Sequence, residues 1–124
     1  MSRLQLGDLQ LAIMQVLWSR GEAPATEVHE ALSGRQLALT TIKTMLRKMD
    51  EKGMVRHRED GRTFVYSPNL AEAEVRLGMV NSLLDRLFGG DGSALVSHLV
   101  REGEVDPTEL EELQARLAAE ESEL

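Results

Sequence analysis

The stretch TTIKTMLRKMDEKG, residues 40–53, combines hydroxyl and cationic side chains at short intervals. Lysine and arginine donate hydrogen bonds to phosphate oxygens and to guanine, while threonine offers a hydroxyl and a methyl group to base edges. If the stretch is helical, its apolar residues share one arc, and the hydroxyl and cationic residues lie on the other side. Such a helix suits insertion into a groove lined with phosphates and base edges. The apolar arc comprises Ile42, Met45, Leu46 and Met49, and the outward side includes Thr40, Thr41, Lys43, Thr44, Arg47 and Lys48.

The other reactive side chains do not form the pattern of a catalytic or metal site. The chain lacks cysteine, which excludes disulfides, thiolate metal sites and cysteine nucleophiles. His29, His57 and His98 lie in different regions, and His98 with Glu102 at i, i+4 is more typical of a helix surface than of a metal site. No phosphate-binding glycine loop and no nucleophile with a matching base is recognisable. We therefore expect no enzyme, no metal and no cofactor.

The formal net charge of −7 is unevenly distributed along the 124 residues. Residues 1–70 carry ten Lys and Arg against eight Asp and Glu, whereas residues 71–124 carry four against thirteen. A basic surface on an acidic chain can still bind a polyanion, because charges are screened beyond roughly 8 Å at physiological salt. No apolar run approaches the roughly 18 residues of a membrane span, and the N-terminal residues lack the apolar block of a secretory signal. We expect a cytoplasmic protein that has no membrane partner.

Two helices precede the basic helix. Asp8 predicts the start of the first helix and Gly21 its end, and the apolar residues between them recur at helical spacing. Pro24 suits the first turn of a second helix, which ends near residues 33–34. The basic helix ends at Gly53, so the first part of the chain predicts three consecutive helices around one core.

A β-hairpin is predicted in the segment MVRHREDGRTFVYSP. Asp60–Gly61 is a strong signal for a two-residue turn, and Pro68 ends the second strand. Arg58 and Arg62 bracket the predicted tip. Three helices followed by a hairpin with a basic tip is the order of a winged helix-turn-helix, in which the third helix reads DNA and the hairpin contacts the backbone. The predicted fold is therefore mainly α with a small β-hairpin wing.

Three further helices follow, each with a narrow apolar seam. Asn69 with Glu72 predicts a capping box for the fourth, Ser93 a cap for the fifth, and Asp106 with Pro107 the start of the sixth. Residues 71–124 cannot cover so much apolar surface alone, which favours a symmetric dimer over a tail folded back on the first part as a monomer. We expect a DNA-binding domain over residues 1–70 and a helical dimerisation region over residues 71–124. The expected dimer contacts are Leu77, Val80, Leu84, Leu87, Leu95, Leu99, Leu110, Leu113 and Leu117.

Over about residues 6–118, the chain resembles the BlaI/MecI family of penicillinase and methicillin-resistance repressors. The resemblance is carried by LQLAIMQVLW, by TTIKTMLRKMDEKGMV, by a wing that ends FVYSP, and by the tail segments LFGGDGSALVSHLV and EVDPTELEELQARL. The wing alone is weak support, since many regulators have one. The LFGGD break followed by an acidic last helix is much more specific.

The resemblance implies a dimeric transcriptional repressor that binds a pseudo-palindromic DNA operator. It implies base contacts from Thr41, Lys43 and Thr44, with Arg47 and Lys48 nearby, and wing contacts from Arg58 and Arg62. Members induced by a sensor protease share an Asn–Phe cleavage bond, where this chain has His98–Leu99, so cleavage here is in question. Copper-responsive relatives carry a cysteine-rich tail, which this chain lacks.

Two other functions are compatible with this fold. A winged helix can act as a protein–protein adaptor, with the acidic tail as its partner surface, although an adaptor does not need the basic third-helix face. A repressor can also bind a small ligand between the tail and the winged domain, but the narrow seams and few aromatic residues give that alternative little support.

Overall fold

The computed structural model describes residues 6–122, which contain six α-helices and three short strands. A 3₁₀ turn at Ser33–Arg35 follows the second helix. The predicted fold class, mainly helical with a small wing, is confirmed. The elements are α1 (Asp8–Arg20), β1 (Ala23–Pro24), α2 (Ala25–Ala31), α3 (Leu39–Glu51), β2 (Val55–Asp60), β3 (Thr63–Pro68), α4 (Glu72–Phe88), α5 (Gly92–Arg101) and α6 (Pro107–Ser122).

The chain divides into two compact units, Met1–Met79 and Val80–Leu124, so the division falls within α4. The first unit contains α1 to α3 and the three strands. The second contains the end of α4 together with α5 and α6. No helix in residues 6–122 combines the length and apolar character needed to cross a membrane.

One hydrophobic core joins α1, α2 and α3 in the first unit. The apolar faces predicted from helical periodicity meet there, because the buried residues of each helix cluster on the side that faces the other two. Trp18 packs at the edge of this core, and its indole N–H donates to the Leu70 carbonyl at 2.8 Å. The side chains with no solvent exposure include Ile13, Met14, Leu17, Val28, Ile42, Leu46 and Met49.

Glycine ends the first and third helices as predicted, but several helix starts differ from the prediction. Gly21 and Gly53 have φ of 86° and 77°, a conformation in which other residues are strained. Gly7 precedes α1, and its N–H donates to the Gln10 side chain, so Asp8 lies inside the first turn instead of capping it. Asp91 caps α5 by accepting from Ala94 N at 3.1 Å, so the predicted Ser93 cap is wrong.

The wing belongs to a three-stranded antiparallel sheet with the order β1-β3-β2. The strand β1 was not predicted, because two residues carry no readable period. In the hairpin, Asp60 pairs with Thr63, so the turn consists of Gly61 and Arg62, one residue later than predicted. Gly61 has φ of 65°, which is the conformation needed at the first position of a tight hairpin turn.

Candidate nucleic-acid interface

The outward face of α3 presents the predicted hydroxyl and cationic residues to solvent. Ile42, Leu46 and Met49 are fully buried on the opposite face and so fix the rotation of the helix. Thr44 is half-buried. The exposed residues of the predicted set on this helix are Thr41, Lys43, Arg47 and Lys48.

A groove of about 410 Å³ lies between α3 and the wing. Lys43 and Arg47 line it from α3, and Arg62 reaches it from the hairpin turn. The structure therefore brings together three of the seven predicted DNA contacts around one concave surface. The remaining lining residues are Pro24, Ala25, Thr26, Thr63, Phe64 and Tyr66.

A second, shallower depression of about 290 Å³ lies on the other flank of α3. Its lining combines hydroxyl groups with a single cation and one thioether. Thr41 and Thr44 are thus placed side by side, next to Lys48. The full lining comprises Thr40, Thr41, Thr44, Met45 and Lys48.

The cations around the groove are not neutralised by neighbouring carboxylates. Within residues 6–122 the basic side chains that contact a carboxylate are Arg58 with Glu22, Arg76 with Glu72, and the His57 imidazole with Asp50. Lys43, Arg47 and Arg62 are not among them. Because no carboxylate among residues 6–122 forms an ion pair with these three cations, the groove is a local attractive site for a polyanion on an acidic chain.

Arg58 is placed differently from the other cations of the predicted set. Its Nε and Nη2 donate to the two carboxylate oxygens of Glu22, at 3.2 and 2.6 Å. These hydrogen bonds, together with the opposite charges, lower the pKa of Glu22 and raise the pKa of Arg58. Arg58 pairs with Val65 within the strands, so it does not lie at the tip as predicted. Arg62, in contrast, lies in the turn itself.

His57 connects the wing to α3. Its Nδ1 is hydrogen-bonded to Asp50 Oδ2, and its ring stacks on Phe64 at a centroid distance of 4.4 Å. Tyr66 lies beside this group. Burial raises the pKa of the Tyr66 phenol, and the Asp50 charge raises it further, while Arg47 opposes both effects. His57 therefore has a carboxylate partner on α3, which its sequence position between two arginines does not reveal.

The other two histidines have local contacts. The His29 ring donates through Nε2 to the Leu37 carbonyl at 2.7 Å. His98 is exposed on α5, with its ring 6.0 Å from that of Phe88. The His98–Leu99 bond therefore lies inside a regular helix, where a protease would need local unfolding to reach it. Residues 6–122 contain no group of three or more His, Asp or Glu that could hold a metal ion.

The predicted dimer contacts form partly or fully exposed apolar surfaces. Leu77 and Leu87 are 62% and 70% exposed on α4, and Leu117 is 49% exposed on α6. Neither α5 nor α6 contains a buried residue. Val80 and Leu113 are also exposed, while Leu84, Leu95, Leu99 and Leu110 are intermediate.

Sequence reasoning missed two residues that shape this interface, Glu22 and Asp50. Glu22 lies 36 positions from Arg58, and Asp50 is one of several acids near the end of α3. No local signal reveals the Glu22 contact, because it depends on the three-stranded topology that places β1 and β2 on the two sides of β3.

Residues 6–119 match the family model of the penicillinase repressor. The penicillinase repressor of Bacillus licheniformis is 31% identical over 110 residues, which cover 88% of this chain and 86% of that protein. The transcriptional regulator BlaI of Mycobacterium tuberculosis is 39% identical over 99 residues, which cover 77% of this chain and 72% of that protein. The solution structure of the DNA-binding domain of the repressor BlaI has a TM-score of 0.51 and 37% identity, over 56% of this chain and 87% of that domain.

Proposed function

Because this chain belongs to the penicillinase repressor family, we propose that it is a sequence-specific DNA-binding transcriptional repressor that acts as a homodimer on a pseudo-palindromic operator. The observation that carries the proposal is the groove between α3 and the wing, with the uncompensated cations of Lys43, Arg47 and Arg62. This surface continues into the hydroxyl-rich flank of α3. Cations and hydroxyls on one exposed helix face are the chemistry that binds phosphates and reads bases.

In this proposal, α3 enters the major groove of one operator half-site. Thr41, Lys43 and Thr44 contact base edges from the exposed face of the helix, while Arg47 and Lys48 contact phosphates. The hairpin turn places a further cation, Arg62, beside the same strand of backbone. Since these contacts release counterions from DNA, binding should weaken steeply as salt is added.

The dimer part of the proposal rests on the exposed apolar residues of the C-terminal helices. A second copy of the chain would cover them and would present a second α3, as a pseudo-palindromic operator requires. Repression would then follow from occupying a promoter and excluding polymerase. The chain would act in the cytoplasm, without enzymatic activity of its own.

Relief of repression by a sensor protease is the remaining part of the proposal. It needs the helical His98–Leu99 bond to open before cleavage. Incubation with such a protease, followed by mass analysis of the fragments, tests this part separately from DNA binding.

Selection of bound duplexes from a random DNA library, with the purified full chain at near-physiological salt, tests the DNA-binding proposal. Enrichment of an inverted repeat is the expected result, because a symmetric dimer reads two half-sites. The centre-to-centre spacing should be about one helical turn or a small multiple. If a folded, dimeric protein enriches no sequence, the repressor proposal fails, and the adaptor function becomes the better explanation.

A further inference from the structure

The two arginines of the wing lie in different environments, although both come from the same hairpin. Arg62 lies in the turn and lines the groove beside α3, without a carboxylate partner among residues 6–122. Arg58 lies inside β2 and is bound through two nitrogen atoms to Glu22. A difference in environment of this kind indicates a difference in role.

The strand register shows that Arg58 lies on the face of the sheet opposite to α3. His57 pairs with Tyr66, and both lie toward α3, where His57 meets Asp50. Successive residues of a strand point to opposite faces, so Arg58 and its partner Val65 point away from that helix. Arg58 therefore lies on the reverse side of the sheet from the groove.

The pair between Glu22 and Arg58 crosses the whole sheet. Glu22 directly precedes β1, β1 pairs with β3, and Arg58 lies on β2 at the other edge. Val65, between them in the central strand, is only 7% exposed. The ion pair thus connects the two outer strands over a buried valine, and it is the described side-chain contact that ties the wing strand β2 to the end of α1.

We propose that Arg58 is a positioning residue, which holds the wing through Glu22 so that Arg62 lies over the groove, and that Arg58 does not itself contact DNA. This inference rests on the proposed DNA-binding function. A phosphate contact by Arg58 would require its two hydrogen bonds to Glu22 to break. It would also leave an unpaired carboxylate close to the DNA backbone, where like charges repel.

Exchange of the two charges separates positioning from phosphate contact. The variants are Arg58→Glu, Glu22→Arg and the double exchange that combines both. Arg56→Glu is the control, because Arg56 lies on the same exposed face of β2, where it pairs with Ser67. The affinity of each full-length variant for a duplex selected by the wild type is measured at several salt concentrations. Circular dichroism checks that each variant is folded.

A positioning role predicts that Arg58→Glu weakens binding by about tenfold, more than Arg56→Glu, because two carboxylates then repel each other and displace the wing. The double exchange should restore affinity to within about threefold of the wild type, with an unchanged dependence on salt, because the exchanged charges attract each other again and hold the wing in place. A double exchange as weak as Arg58→Glu, with a salt slope reduced by about 1, overturns the inference, because that is the loss of a phosphate contact. So does an Arg58→Glu variant that binds like the wild type.

An NMR measurement on the wild-type protein gives a direct signature. The Arg58 Nε–H resonance should already be protected in the free protein and should keep its position when the duplex is added, whereas the Arg62 resonance should shift. A shift of Arg58 equal to that of Arg62 contradicts the inference. If the wild type binds no selected duplex at all, the proposed function fails, and the free-protein signal of Arg58 still reports whether the pair with Glu22 forms.

Discussion

The two units of this chain use similar apolar patterns with different outcomes. Every buried residue among residues 6–122 belongs to the first unit, where α1, α2, α3 and the sheet share one core. The second unit contains α5 and α6, which have no buried residue, and exposes Leu87 and Leu117 by about half or more. The first unit therefore buries one shared core, whereas α5 and α6 of the second unit bury no residue.

This difference shows what helical periodicity does and does not determine. A repeat of apolar residues at three and four positions predicts that one face of a helix avoids water, but not which surface covers that face. In the first unit the covering surfaces come from neighbouring elements of the same chain. The 45 residues of the second unit, Val80–Leu124, are too few to bury their own apolar faces, which is why we propose that a second copy of the chain covers them.

The largest expected effect is on the stability of the hydrophobic core of the first unit. Leu46→Ala removes a side chain with no solvent exposure, and such truncations cost about 2–5 kcal/mol of unfolding free energy. Denaturant titration should show this loss at every protein concentration. Leu83→Ala is the matched control, because Leu83 is 41% exposed, and its cost should depend on protein concentration if a second chain covers it. Equal, concentration-independent losses would contradict the contrast between the two units.

The next largest effect is on dimerisation through the exposed apolar residues of the second unit. Leu117→Glu puts a charge on the expected dimer surface and should weaken dimerisation by about 30-fold or more, as for a residue at the centre of an interface. Sedimentation at several concentrations measures it. Ala115→Glu adds the same charge two residues earlier, on the face of α6 opposite to Leu110, Leu113 and Leu117, and should leave the dimer intact. A dimer that tolerates Leu117→Glu would remove α6 from the interface.

A smaller effect is expected on DNA affinity from substitutions on the exposed face of α3, the proposed DNA-reading surface of the first unit. Lys43→Ala should cost about 1–3 kcal/mol on the selected duplex, and less on scrambled DNA, if Lys43 contacts a base. If Arg47 contacts phosphate, as proposed, Arg47→Ala should weaken both duplexes equally and reduce the salt slope by about 1. Fluorescence anisotropy titrations measure both. Neither variant should change the oligomeric state, and equal losses for Lys43→Ala on both duplexes would exclude it from base reading.

The helices and their apolar faces could be predicted because they depend on local spacing. The face of α3 that buries Ile42, Leu46 and Met49 follows from a period of 3.6 residues. The end of α1 follows from Gly21, whose φ of 86° favours glycine. Asp106 accepts from Thr108 N at 2.7 Å, as expected for the residue before a helix that begins with proline. These features need only a few neighbouring residues.

The features that could not be predicted depend on residues distant in the chain or on competing local partners. Glu22 pairs with Arg58 only because the sheet brings β1 and β2 to the two sides of β3. Asn69 has the right spacing to Glu72 for a capping box, but α4 begins at Glu72 itself, so the predicted box is wrong. The Asn69 side-chain amide instead donates to the Gly53 carbonyl at 2.8 Å. When several backbone groups lie within reach of an asparagine side chain, its hydrogen-bond partner cannot be predicted from sequence spacing alone.

The smallest expected effect is a change in the pKa of Tyr66, which tests whether the wing is held against α3 in the first unit. Tyr66 is the one tyrosine of the chain, so the ultraviolet absorbance of its phenolate reports a single group. Burial, and then the Asp50 charge, raise its pKa above the ordinary value near 10, so the fold binds the phenol proton more tightly than the unfolded chain does. The stabilisation is therefore complete below pH 10 and is lost as the pH rises through the folded pKa. Asp50→Asn should lower the Tyr66 pKa part of the way, because burial remains, whereas Glu51→Gln should not change it. An unchanged pKa in Asp50→Asn would mean that the wing does not hold Tyr66 beside α3 in solution.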